Sequence, residues 1–202
     1  MAISTYSTLK AALARWMFRD DMADIIPDFI ALAEAKINRD LILREFETVT
    51  SGTGESFPMP DDTQSVTRIS VIGFDGRKRV IPYVAPANQG RYAPRAGTEP
   101  QAFIVEADTV IFMPPGASSA WEMVYYPAIP ALSDDAPTNW LLTRSPDVYL
   151  FGALTEAEPY LYNEERMPMW QQKYADAVAG LMASDERQQF PQAGLQMRTD
   201  TQ

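Results

Sequence analysis

The feature that most limits the fold of this chain is a double change in residue periodicity. Apolar residues recur at intervals of three and four up to Arg44, then give way to short β-branched and aromatic runs broken by glycine and proline. Helical spacing returns beyond Pro127, Pro130 and Pro137. The order helices, strands, helices predicts an α+β fold: a helical bundle built from the N- and C-terminal segments, an antiparallel β-rich insertion between them, and a flexible C-terminal tail. The divisions follow the texture: 1–45 as the first part of the bundle, 46–126 as the insertion, 127–186 as connector and second part of the bundle, and 187–202 as the tail.

Local signals place the elements. Thr5 is a helix N-cap ahead of the stripe Tyr6, Leu9, Ala12, Leu13, Trp16 and Met17, which ends near Arg19–Asp21. A second helix opens at Ile26-Pro27, with Asp28 beside its positive end and the stripe Phe29, Ile30, Ala33, Ile37 and Leu41; Asp40 and Arg44 are spaced for an ion pair. Strands are expected at 46–50, 66–72, 79–84, 101–106, 109–113 and 121–126, forming an antiparallel meander. Phe74-Asp75-Gly76-Arg77 reads as a type I′ hairpin turn, Glu106-Ala107-Asp108 as a second tight turn, and 85–92 as a short helical turn. Ser145-Pro146-Asp147 is a cap, first-turn proline and first-turn acid for a helix that Pro159 ends or kinks. A last helix starts between Asn163 and Met167 and carries Trp170, Tyr174, Ala177, Val178 and Leu181; from Ser184 the chain turns polar.

Composition narrows the chemistry. The 202 residues include no histidine and no cysteine, so the chain has no near-neutral imidazole base, thiolate nucleophile, disulfide or zinc cage. Serine, lysine and carboxylates remain. The acidic pairs Asp20-Asp21, Asp61-Asp62, Asp134-Asp135 and Glu164-Glu165 fall at turns and helix ends, where capping and solvation account for them, and Gly52-Thr53-Gly54 is followed by neither a lysine nor a helix, as a phosphate loop requires. No catalytic residue, cofactor or metal is therefore expected.

Net charge is −10, which opposes a general grip on nucleic-acid phosphates. The segment 66–113 is mildly basic, with six basic residues against four acidic, while both ends are acidic; Arg77-Lys78-Arg79 is an exposed run that blunts a sheet edge, or touches phosphate or an acidic partner. The most apolar stretch, Val148 to Leu154, is far too short to span a bilayer and no signal segment opens the chain, so a soluble, cytosolic protein without membrane association is expected. Tyr125, Tyr126, Trp140 and Tyr149 are dense around the connector, and the tail holds Phe190, Leu195, Met197 and Arg198 as anchors; these eight form the candidate interface, because tyrosine, tryptophan and arginine dominate protein contacts.

Several blocks together resemble a known family. Thr5-Tyr6 with Leu9, Arg19-Asp20-Asp21, and the run from Ile26-Pro27-Asp28-Phe29 through Glu34-Ala35-Lys36-Ile37-Asn38-Arg39-Asp40-Leu41 resemble the N-terminal signature of tailed-bacteriophage head-to-tail adaptor (connector) proteins. Tyr125-Tyr126, Ile129-Pro130-Ala131-Leu132-Ser133, Asn139-Trp140-Leu141-Leu142 and Pro146 to Leu154 match in the same order. The resemblance implies a virion structural protein at the head–tail junction, assembled in the host cytoplasm as a homo-oligomeric ring, commonly twelvefold. Its partners would be the portal protein and tail or nozzle proteins, with DNA passing through the lumen without sequence-specific binding. Another tail-completion or minor virion protein shares most of these expectations; a small carboxylate-dependent enzyme is the alternative of a different kind.

Overall fold

The computed structural model describes residues 2–19, 21–43, 46–92, 98–161 and 164–189, the side chains of 164 and 186–189 excepted. It shows an α+β chain in two compact units, Met1–Glu45 with Ile129–Gln202, and Phe46–Ala128. The Asp40–Arg44 pair and the tail anchors Phe190, Leu195, Met197 and Arg198 lie outside the described residues.

The first unit is helical. α1 (Tyr6–Met17) starts from a reciprocal cap: Thr8 N–H donates to Thr5 Oγ1 at 3.2 Å and Thr5 N–H to Thr8 Oγ1 at 2.9 Å. It stops at Phe18, whose φ of 55° is left-handed. α2 (Ile26–Asp40) opens with Pro27 in its first turn and buries Phe29, Ile30, Ala33 and Ile37 as their spacing requires. α3 (Trp140–Arg144) is a short helix absent from the sequence expectation. Its N-cap is Asn139, whose Oδ1 accepts from Leu142 N–H at 2.8 Å. Ser145 occupies the cap position of α4 (Pro146–Tyr160) but makes no side-chain capping bond, because the chain enters α4 directly from α3. Pro159 lies in the last turn of α4, which ends one residue later.

α4 is buried on nearly every side, including Val148, Tyr149, Leu150, Gly152, Ala153, Leu154 and Ala157, and α1, α2, α3 and α5 (Met167–Gln189) all pack on it. On α5 the buried positions Trp170, Tyr174, Val178, Leu181 and Asp185 repeat every three or four residues. The polar composition from Ser184 does not end the helix, and the tail expected at 187–202 overlaps its last three residues. The helix continues to Gln189, and Ser184 is held there: its Oγ accepts from Arg144 Nη2 at 2.9 Å and donates to the Leu181 carbonyl at 2.8 Å.

The second unit has two antiparallel sheets rather than one meander. β1 (Thr48–Gly54), β2 (Ser56–Pro58), β3 (Thr63–Ile72), β4 (Lys78–Ile81), β5 (Ala102–Glu106), β6 (Thr109–Met113) and β7 (Ser119–Pro127) pair in the orders β1-β7-β3-β4 and β2-β6-β5. Both sheets feed one core of Phe57, Ile69, Val71, Ile81, Phe103, Val110, Phe112, Trp121, Met123 and Tyr125. β2, only three residues long and ending in proline, was unrecognised in the sequence, yet it brings Phe57 onto Trp121 in a stack with centroids 3.5 Å apart. Gly52 lies beneath that indole: a Cβ there would stand 2.8 Å from Trp121. That close approach explains the glycine the sequence placed in no phosphate loop.

The turn assignments exchange roles. At 74–76 only Gly76 is left-handed (φ 72°); Gly76 N–H donates to the Gly73 carbonyl and Gly73 N–H to the Arg77 carbonyl, both at 2.9 Å, so the loop has three residues rather than a two-residue type I′ turn. The two-residue turn with both central residues left-handed is Ala107-Asp108, φ 45° and 58°, closing Glu106 opposite Thr109.

Candidate interface

The connector in the first unit is held by side chains rather than by secondary structure. Glu34 and Asn38 sit one turn apart on α2, so both face the same way. Glu34 Oε1 accepts from Leu132 N–H and Asn38 Oδ1 from Ile129 N–H, each at 2.7 Å. Asn139 closes the clasp. While its Oδ1 caps α3, its Nδ2 donates to the Pro130 carbonyl at 2.7 Å and to the Tyr149 hydroxyl at 2.6 Å, and that hydroxyl approaches Glu34 at 3.4 Å. Burial pushes Glu34 above the ordinary carboxylate range, opposed by the hydrogen bonds from Leu132 and Tyr149; burial also raises Tyr149. At the far end Tyr6 N–H donates to the Pro137 carbonyl at 2.7 Å and Lys10 pairs with Asp134 at 2.9 Å.

This geometry fixes where the sequence-proposed contact residues lie. Tyr149 is fully buried in the clasp, and Trp140 is half-buried at the start of α3. Tyr125 belongs to the core of the second unit, its hydroxyl donating to Asp62 at 3.2 Å; Tyr126 is half-buried and donates to Glu47 at 3.1 Å. The described members are therefore two in each unit, and Tyr125 and Tyr149 present little free surface.

Exposed apolar surface occurs elsewhere. Ala12, Arg15, Trp16 and Phe18 from α1 and its cap, Leu150 from α4, Arg166 and Trp170 at the start of α5, and Ile3 line an open groove of about 580 Å³. Trp16, Phe151 and Trp170 form a triangle of rings with centroids 5.5 to 6.1 Å apart, within the range of favourable aromatic contacts. Behind it, buried Glu158 accepts from Trp170 Nε1–H at 2.6 Å, and Arg166 stands 3.8 Å away. No single motif marks this groove; Phe18 lies just past the end of the α1 stripe, and Trp16, which the spacing puts in that stripe, stays 41% exposed while its other members are buried.

Several of the acidic residues singled out in the sequence have partners in the structure. No group of three or more carboxylates is placed to hold a metal among the described residues. Asp21 pairs with Arg19, Asp134 with Lys10, and Asp62 accepts from Tyr125. The basic run at the β3–β4 hairpin is largely neutralised within its own unit: Arg79 meets Asp75 at 3.2 Å and Glu99 at 2.8 Å, and Lys78 pairs with Glu122. Taken as a whole the second unit is acidic, with nine acidic against six basic residues, because Glu47 before β1, Glu55 between β1 and β2, Asp61 and Asp62 in the β2–β3 link and Glu122 on β7 add to the 66–113 segment. The mildly basic insertion read from the sequence is thus a property of a segment, not of the folded unit.

A family model described as SU10 adaptor protein matches residues 4–198, nearly the whole chain. The chain belongs to the SU10 adaptor protein family. This is a family of phage head-to-tail adaptors, which is a structural role. No curated protein matches the chain. As an SU10-family adaptor, the chain is understood through what its surfaces can join, and no described helix is long and apolar enough to cross a membrane.

Proposed function

We propose that this adaptor forms a homo-oligomeric ring, commonly of twelve copies, beneath the portal, binds portal on one side and tail or nozzle proteins on the other, and lets DNA pass through its lumen without sequence-specific contact. The observation that carries the reading is the family match over residues 4–198. The charge supports the lumen role: the helical unit holds eighteen acidic against eleven basic residues, and a negative wall repels phosphate and keeps the genome from adhering. The adaptor is assembled in the host cytoplasm and resides at the head–tail junction.

Tyr126, Trp140 and the tail anchors Phe190, Leu195, Met197 and Arg198 contribute to contacts with the portal or an adjacent subunit, while Tyr125 and Tyr149 act from within by holding their units in shape. Mixing the purified protein with its cognate portal and imaging the product tests the reading. A ring of extra density on the portal is expected. Failure of the two to associate at micromolar concentration overturns it.

A further inference from the structure

We propose that the groove between α1, α4 and α5 receives the exposed face of α2 from a second copy of this chain, giving a head-to-tail contact. The inference rests on the ring-forming reading above and names the surfaces that would build it.

The solvent face of a surface helix is ordinarily polar. On α2 that face carries Asp28, Ala31, Leu32 and Ala35, all exposed and spaced to form one stripe; Leu32 is 53% exposed. The two alanines let another helix approach closely, and Leu32 stands between them as an apolar anchor. Asp24 and Asp28, exposed at the N-terminal end of the stripe, form no ion pair among the described residues.

The groove is the complement in shape class and in charge. Its charged lining residues are both arginines, Arg15 and Arg166, on a chain of net charge −10. Among the described residues Arg15 makes an Nε–H bond to the Ala11 carbonyl at 3.2 Å and no ion pair, while Arg166 lies over Trp170 at 5.3 Å and 3.8 Å from Glu158, so Arg15 is the arginine left to meet an acidic partner. At the rim, Phe18 is 85% exposed and left-handed, a conformation that disfavours every residue with a Cβ. A monomer gains nothing from an aromatic side chain there, whereas a docking surface does.

The stripe and the groove share no residue, so the contact joins two different surfaces and is heterologous. Such a heterologous contact propagates into a ring or a filament and does not stop at a pair.

The absence of cysteine from the sequence makes the test clean. Ala35→Cys on the stripe and Ala11→Cys beside the groove are combined in one chain and treated with a short bis-maleimide at high protein concentration. A ladder of dimer and higher species is expected from the double variant, and monomer from each single variant and from the control pair Ala35→Cys with Gly180→Cys. In this background Asp28→Arg lowers the ladder yield at least tenfold, and adding Arg15→Asp restores it. Phe18→Gly lowers the yield while raising the melting temperature, opposite signs that a purely structural role would not give.

A monomeric double variant, equal laddering in the control, dimers from either single variant, or a charge exchange without rescue overturns the proposal. Circular dichroism confirms that each variant is folded. Portal binding, imaged separately, reports on the adaptor role, so intact portal binding with no ladder removes this contact alone, and a ladder without portal binding removes the adaptor reading alone.

Discussion

Asn139 makes the clasp testable, because one side chain performs two separable tasks. Its Oδ1 caps α3, and its Nδ2 ties the Pro130 carbonyl and the Tyr149 hydroxyl together. Asn139→Ala removes both. Loss of an N-cap costs about 1 kcal/mol. Two lost donor bonds add about 1 kcal/mol between them, less than two full bonds because exposed Pro130 can turn to water. The expected total is about 2 kcal/mol, which at a urea slope of about 2 kcal/mol/M moves the midpoint by about 1 M. Asn139→Ser keeps a capping oxygen but is too short to reach Tyr149, so it should recover roughly half of that loss. The measurement is urea unfolding followed by far-ultraviolet circular dichroism, which reports mainly on the helical unit. Combined with Tyr149→Phe in a double-mutant cycle, the two losses should be less than additive, because each removes the same bond. A loss below about 0.5 kcal/mol for Asn139→Ala, or an Asn139→Ser variant as damaged as the alanine, would show that the connector is held by packing instead.

Other expectations follow from the same geometry. Ala107→Asn with Asp108→Gly supplies residues suited to two left-handed positions and should stabilise the β5–β6 hairpin by about 1 kcal/mol, read as a rise in melting temperature. Gly52→Ala forces a methyl group into the Trp121 ring and should destabilise by about 1 to 3 kcal/mol, with altered Trp121 fluorescence; an unchanged melt would mean that the indole moves freely. Phe18→Gly relieves the left-handed strain at the end of α1 and should stabilise the monomer by about 1 kcal/mol in urea unfolding. Glu34 titrates above the ordinary carboxylate value in the folded state, so the native chain binds that proton more tightly than the unfolded one. Its contribution to stability is therefore complete below the unfolded value and is lost as pH rises through the raised folded value; Glu34→Gln should flatten this part of the profile in urea midpoints taken across that interval.

Much of the framework could be read from local patterns. The stripe of α1 with its Thr5 cap, the proline and acid opening α2, and the β-branched and aromatic runs of β5 and β6 are all set by residues within a turn or a strand of one another, and the structure forms those elements at those places. The tie that Asn139 makes to Pro130 and Tyr149 and the hold of Arg144 on Ser184 in α5 depend on partners outside the local turn, and no local pattern announces them. The same distinction applies to the turns. Asp-Gly is compatible with a type I′ turn, but the pairing of Ile72 with Lys78 is continued by the Gly73 N–H to Arg77 carbonyl bond, which leaves three residues to close the loop, and register between strands decided the matter.

Charge and chemistry divide in the same way. The absence of histidine and cysteine and the excess of carboxylates are facts of composition, and no folding can supply a missing imidazole or thiol. Which carboxylates are neutralised, which helix becomes the buried centre, and where apolar surface remains uncovered are outcomes of packing over long sequence separations. Glu34 meets Leu132 across 98 residues and Tyr174 meets Asp40 across 134. A chain's periodicity determines which face each element must bury; only assembly of all the elements determines which faces are left over, and in an adaptor those remaining faces are the ones available for contact.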